Sequence, residues 1–278
     1  MSNAIARAWN GARTVEGAGV VLTRMFGNRD AGTMDPFLLL DDFGSDDPAD
    51  YIAGFPWHPH RGIETVTYIL AGDVEHGDSL GNRGTIGAGD VQWMTAGSGV
   101  IHQEMPQLYP DRSRGFQLWV NLPASGKMMD PRYRGVLSGE MPEIDIEGAG
   151  VKVIAGEIGG TRGPVKDLVV DSSYFDIKAP PGLRSELPVG ANHTVFAFVF
   201  EGSVLFGDGN RVIDSDGLVL FEKGDSIVFS TREAGGRFLL VSGMPIGEPI
   251  AWQGPIVMNT EAELDQAFRE YREGTFIK

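Results

Sequence analysis

The sequence predicts an all-β fold of two related β-sandwich barrels closed by a short C-terminal helix. Three observations carry this expectation. Glycine is abundant (39) and proline common (16) in 278 residues, as many turns between short strands require. Runs rich in Val, Ile, Phe and Thr recur, separated by Gly-containing turns. The two halves also repeat one pattern, as two copies of a single β unit would.

The strand-like runs cover 65–70, 91–95, 116–122, 195–200, 218–221, 227–230 and 238–242. In the first half, Tyr68-Ile-Leu-Ala-Gly72-Asp-Val74 precedes Gly89-Asp90-Val-Gln-Trp-Met-Thr95; in the second, Phe198-Val-Phe-Glu-Gly202-Ser-Val204 precedes Gly224-Asp225-Ser-Ile-Val-Phe-Ser230. Each time an apolar strand meets a turn glycine and then a valine, and a Gly-Asp turn later opens another strand. The junction is expected within 130–150, where Pro131, Pro142, Gly148 and Gly150 collect, giving domains 1–135 and 136–278. One helix is expected late: Thr260 caps it, Glu263 completes a capping box, and Leu264, Ala267, Phe268 and Tyr271 share a face before Gly274 ends it.

Composition limits the chemistry. The chain has no cysteine, which excludes disulfides, thiolate metal sites, iron–sulfur clusters and Cys nucleophiles. A formal net charge of −15 argues against direct nucleic-acid binding. With no signal-like N-terminus and no long apolar run, a soluble monomer is expected, free of membrane contact and cytoplasmic, or nuclear in a eukaryote. Without a signal peptide, the triplet Asn192-His193-Thr194 carries no expectation of glycosylation.

Five histidines are present, and three fall into two tight patterns, His58-Pro-His60 and His102-Gln-Glu104. Residues two apart on a strand point to the same face, roughly 6–7 Å apart. Each pattern therefore aims two ligands at one side of a sheet. If the two strands are neighbours inside a barrel, four metal ligands converge.

These segments resemble known motifs. His58-x-His60-x3-Glu64-x7-Gly72 is similar to the first cupin motif, one residue longer before its Gly, and Gly97-Ser-Gly99-Val-Ile-His102 to the second. The stretches from Phe55 to Val66, from Gly89 to Gly97 and from Gly99 to Pro106 resemble the pirin family closely, and 115–123 and 254–260 extend the likeness over nearly the whole chain. The resemblance implies a bicupin fold. It also implies one divalent metal, usually Fe(II), in the N-terminal barrel, held by His58, His60, His102 and Glu104. Zn, Ni, Cu, Mn or Co could load in recombinant material. The C-terminal barrel is expected to lack a metal, which suits the absence of His after 193, and the C-terminal segment is expected to pack back on the first barrel. Glu64, a ligand in many cupins, would here stand behind the metal or on a solvated strand. His76 has no partner two residues away and reads as a surface or packing residue; His193 stands alone before its strand and is not expected to be a ligand.

Open coordination positions on a metal with dioxygen suit oxidative cleavage of a hydroxylated aromatic. Several pirin-like proteins are described as quercetin 2,3-dioxygenases. That analogy gives Glu104 a catalytic role in taking a flavonol hydroxyl proton. Phe55, Trp57, Trp93, Phe116 and Trp119 could line a pocket or simply fill the core, and Arg61 could face a ligand or bond a neighbouring strand. The alternatives are an iron-dependent regulator acting through protein partners and a structural zinc site.

Overall fold

Residues 2–207 and 211–278 are described by a computed structural model. The chain forms two compact units, one of residues up to Gly11 with Gly139–Pro245, the other of Ala12–Ser138 with Ile246–Lys278. This differs from the single boundary expected near 135, because both ends of the chain are exchanged. The strand Ile5–Asn10 pairs antiparallel with Gly217–Phe221. The C-terminal segment joins the histidine-bearing unit, where Leu264 and Ala267 pack with Ala251, Ile256, Met258 and Phe276. An apolar helix face must be buried somewhere, and here it lies on the hairpin that precedes it.

The helix Glu261–Glu273 forms as its sequence signals. Thr260 accepts from the backbone N–H of Glu263, the Glu263 carboxylate answers at the Thr260 backbone, and Gly274 ends the helix at φ 72°. Leu264 and Ala267 are buried, whereas Tyr271 remains 39% exposed and meets Phe276 edge to face.

The histidine-bearing unit is a two-sheet antiparallel sandwich. Its larger sheet runs Arg132–Val136, Val91–Thr95, Ile63–Ala71, Ser113–Asn121, Phe37–Ser45, Val20–Phe26, Ala12–Glu16. Its smaller sheet runs Phe55–His60, Val100–Pro106, Val74–Asp78, Arg83–Ile86. The hairpin Ala251–Gln253 and Ile256–Met258 forms a separate two-stranded sheet, with one bridge from Ile256 to Arg61. Gly62 is required where the hairpin crosses the ligand strand: its φ is 78°, and a Cβ there would lie 1.9 Å from the Val257 carbonyl oxygen.

The other unit repeats the frame in one nine-stranded sheet whose longest strands, Thr194–Phe206 and Ser226–Gly243, bend at bulges and contribute to both layers. Gly202 sits at such a bend with φ 67°, as Gly72 with φ 89° does in the first unit, so this part of the repeat marks one structural position. The Gly-Asp repeat does not. Val91–Thr95 lies beside Ile63–Ala71, a place taken in the other unit by Gly217–Phe221. The strand after Gly224-Asp225 pairs instead with Arg184–Pro188. Gly-Asp is a turn signal that recurs at different turns.

Candidate metal centre

The strand Val100–Pro106 lies antiparallel to Phe55–His60, with His102 opposite His58 and Val100 opposite His60. This register brings both histidine patterns to one wall. One ring nitrogen from each of His58, His60 and His102 lies within 4.8 Å of the others. The Nε2 atoms of His58 and His60 are 3.0 Å apart.

Backbone carbonyls aim the rings. His58 Nδ1 lies 2.8 Å from the Pro56 oxygen, and His60 Nδ1 lies 3.1 Å from the Pro255 oxygen of the C-terminal hairpin. An Nδ1–H donated to each carbonyl leaves both Nε2 lone pairs facing each other. His102 is fully buried, and neither of its ring nitrogens has a hydrogen-bond partner among the described residues. Burial holds all three imidazoles below their ordinary pKa, His60 and His102 well below it, and the neighbouring imidazoles add to the effect on those two. Neutral imidazoles with converging lone pairs and no proton between them fit a divalent cation.

The Glu104 carboxylate stands outside this trio. A bulge between His102 and Glu104 shifts the register. Glu104 Oε1 accepts from Thr67 Oγ1 at 2.9 Å and Oε2 from Gln117 Nε2 at 3.3 Å. Burial pushes the Glu104 carboxyl up to about 7 against the pull of the Thr67 hydrogen bond. Glu64 is buried and accepts from Thr95 Oγ1 at 2.5 Å. It is therefore not a solvated strand residue.

Three further expectations are corrected or resolved. His76 is buried rather than at the surface, stacked on Tyr133 with ring centroids 4.9 Å apart and 3.3 Å from Asp78. His193 is buried as well, 3.3 Å from Ser242 Oγ. Arg61 bonds neighbouring segments: it donates to the carbonyls of Ser98 at 2.6 Å and Phe276 at 2.8 Å and pairs with Glu270.

A cavity of about 650 Å³ opens beside the histidines. His58, His60 and Glu104 line it, as do Phe55, Trp57 and Trp119. Trp119 meets His60 edge to face, with ring centroids 5.1 Å apart. Trp93 and Phe116 do not line it and belong to the core, at 1% and 0% exposure.

Sequence reasoning missed Lys127, which is buried and donates to the carbonyls of Gly62 and Val257 and to Asn121 Oδ1. Burial brings its amine down to about 8, against the influence of Glu248 and Glu263. It ties the ligand strand to the C-terminal hairpin, and a lone lysine beside Gly126 gives no sequence signal of that role.

In the other unit the matching inward pairs are Ser185 with Phe229 and Leu187 with Ile227. The frame is kept without the ligands: Leu187, Ile227 and Phe229 belong to an apolar core, and Ser185 is buried and donates to the Ile146 carbonyl.

Comparison with known proteins agrees with this architecture. Residues 19–120 match the Pirin family model, and residues 174–277 match that of the Pirin C-terminal cupin domain. A pirin-like protein of Caulobacter vibrioides is 46% identical over 269 residues, covering 96% of each chain. Pirin-1 of Arabidopsis thaliana is 42% identical over 261 residues, covering 92% of this chain and 88% of that one. The crystal structure of a quercetin 2,3-dioxygenase from Acinetobacter baumannii is similar with a TM-score of 0.91 and 34% identity, covering 99% of both chains. With two cupin domains, one bearing the histidine trio, the chain belongs to the pirin family.

Proposed function

We propose that this chain is a metal-dependent dioxygenase that binds one Fe(II) through His58, His60, His102 and Glu104 and oxidatively cleaves quercetin or a similar hydroxylated aromatic. The observation that carries the reading is the trio of neutral imidazoles, His60 and His102 buried and His58 half-buried, converging at the wall of a largely apolar cavity. The likeness to a quercetin 2,3-dioxygenase supports it.

Bound iron would supply Lewis acidity toward a substrate hydroxyl and a redox centre for dioxygen. Three neutral imidazoles and one carboxylate leave a divalent site with a net charge of about +1, which favours an anionic ligand. Glu104 has two tasks in this reading. It completes the ligand set, and its burial-raised proton affinity suits it to take the 3-hydroxyl proton of a flavonol. Thr67 and Gln117 hold its two oxygens while it does so. Phe55, Trp57 and Trp119 offer flat apolar surface to a planar substrate and exclude water from the reacting face.

The test is direct. Apo-protein reloaded anaerobically with Fe²⁺ is expected to consume quercetin and dioxygen together, seen as loss of flavonol absorbance above a metal-free control. No turnover with Fe, Ni, Co, Mn or Cu would overturn the enzymatic reading in favour of a metal-dependent regulator acting through protein partners.

A further inference from the structure

The floor of the cavity carries a row of polar side chains that extends well beyond the metal ligands. Cross-strand pairing sets Thr67 beside Gln117, Gln117 beside Asp41 and Asp41 beside Arg24. All four line the cavity. At about 4.8 Å per strand the row runs roughly 14 Å across the sheet. Its near end holds Glu104 through Thr67 and Gln117. At its far end Arg24 donates to both oxygens of Asp41, at 2.9 and 2.8 Å, and to Glu16 at 2.8 Å. Leu39 and Phe43, two residues to either side of Asp41, line the same cavity and flank the row with apolar surface.

The fold does not demand this polarity. The matching strands of the other unit pair Ala197 with Leu240, Leu240 with Phe175 and Phe175 with Val153. Those four residues are apolar core. A charged pair at this position costs desolvation that an apolar row avoids. Burial raises the Asp41 carboxyl to about 6 even with Arg24 beside it.

The pair also has unused bonding capacity. A carboxylate offers about four acceptor sites, of which Arg24 fills two; a guanidinium offers five N–H donors, of which Asp41 and Glu16 take three. Asp41 is only 5% exposed, so little of its own remaining capacity is met by bulk water, while the Arg24 side chain is 29% exposed. A ligand lying along the row would bring one end to the histidines and the other to this pair.

Resting on the flavonol reading above, we propose that Asp41 and Arg24 are the specificity-determining pair of the cavity, reading a hydroxyl on the aromatic ring remote from the metal. Asp41 accepts the substrate O–H, and Arg24 donates to the same oxygen. The preferred substrate is a flat aromatic hydroxylated at both ends.

Binding rather than turnover tests this. Metal-loaded protein is titrated anaerobically with quercetin and with a flavonol that lacks hydroxyls on its pendant ring, following quenching of tryptophan fluorescence, since Trp119 and Trp252 line the cavity. The wild type is expected to prefer quercetin by about tenfold, the worth of one or two extra hydrogen bonds. Asp41→Asn should cut that preference, and the double variant Arg24→Met/Asp41→Leu should abolish it while still binding the unhydroxylated ring. Equal wild-type affinity for the two flavonols overturns the proposal and leaves the flavonol reading intact. So does a preference that survives in the double variant. Failure of both flavonols to bind overturns the flavonol reading and this proposal with it. The wild-type comparison decides alone if a variant does not fold.

Discussion

Replacing Arg61 by leucine probes what holds the C-terminal segment to the ligand strand. Arg61 is 2% exposed and follows His60 directly. Its guanidinium donates to the carbonyls of Ser98 and Phe276, pairs with Glu270 at 2.8 Å, and lies 4.2 Å from the centre of the Phe276 ring. Hydrogen bonds from a charged donor are worth about 1.5–3 kcal/mol each, so the two carbonyl bonds carry roughly 3–6 kcal/mol. The ring contact adds about 0.5–2 kcal/mol. Leucine recovers about 1–2 kcal/mol of apolar burial, and the variant no longer desolvates a guanidinium. The expected net loss is about 3–4 kcal/mol, within the range for breaking a buried pair. Urea denaturation measures it. Limited proteolysis locates it, because release of the segment exposes the helix Glu261–Glu273. Stability within about 1 kcal/mol of wild type, with the helix still resistant to protease, would refute the clamp.

Other outcomes follow from the same geometry. His102→Ala should lower bound metal more than tenfold by elemental analysis, since it removes one of three converging nitrogens; undiminished metal would show that the ligand set is wrong. Burial would raise the Glu270 acid, but hydrogen bonds from Lys278, Gln266 and Arg61 outweigh it and hold the group near about 2. A depressed carboxyl contributes stability above its unfolded value of about 4.3, lost as pH falls toward its folded value. The melting-temperature gap between wild type and Glu270→Gln should therefore be constant above about pH 5 and shrink between about pH 4.5 and 2. Phe238→Ala, at a fully buried site between Phe206 and Phe229, should cost about 3–5 kcal/mol in chemical denaturation.

The ligand trio was legible because its signal is local: residues two apart on a strand share a face, and the pairing of two such strands is all that convergence requires. The helix was legible for a similar reason, since Thr260, Glu263 and Gly274 act within one or two turns. Features that depend on distant pairing left no mark. Ile5–Asn10 is not paired within its own half, and nothing in its sequence says so. Arg61 stays open in the sequence between a ligand and a neighbouring strand, and Lys127 carries no signal there, because each meets carbonyls from segments far along the chain. The polar row has one member on each of four strands, so no window of sequence contains it. Of the two readings open for His76, surface or packing, the second holds, because a residue of the facing sheet, Tyr133, stacks on its ring.

The two units show how one frame supports two outcomes. In the second, the inward row is apolar from Val153 to Ala197, and Phe206, Phe229 and Phe238 interlock in edge-to-face contacts, leaving an interior that functions as core. In the first, imidazoles and carboxylates replace such residues and a cavity remains. That interior gives up apolar contact, and its buried polar groups must be satisfied individually. The structure meets this need with the C-terminal segment. Pro255 supplies the carbonyl that orients His60, Val257 supplies one of three acceptors for Lys127, and Phe276 supplies both a carbonyl and a ring to Arg61. The exchanged C-terminal end is therefore part of the metal centre's construction: the carbonyl that leaves a lone pair on His60 for metal comes from a residue 195 positions away.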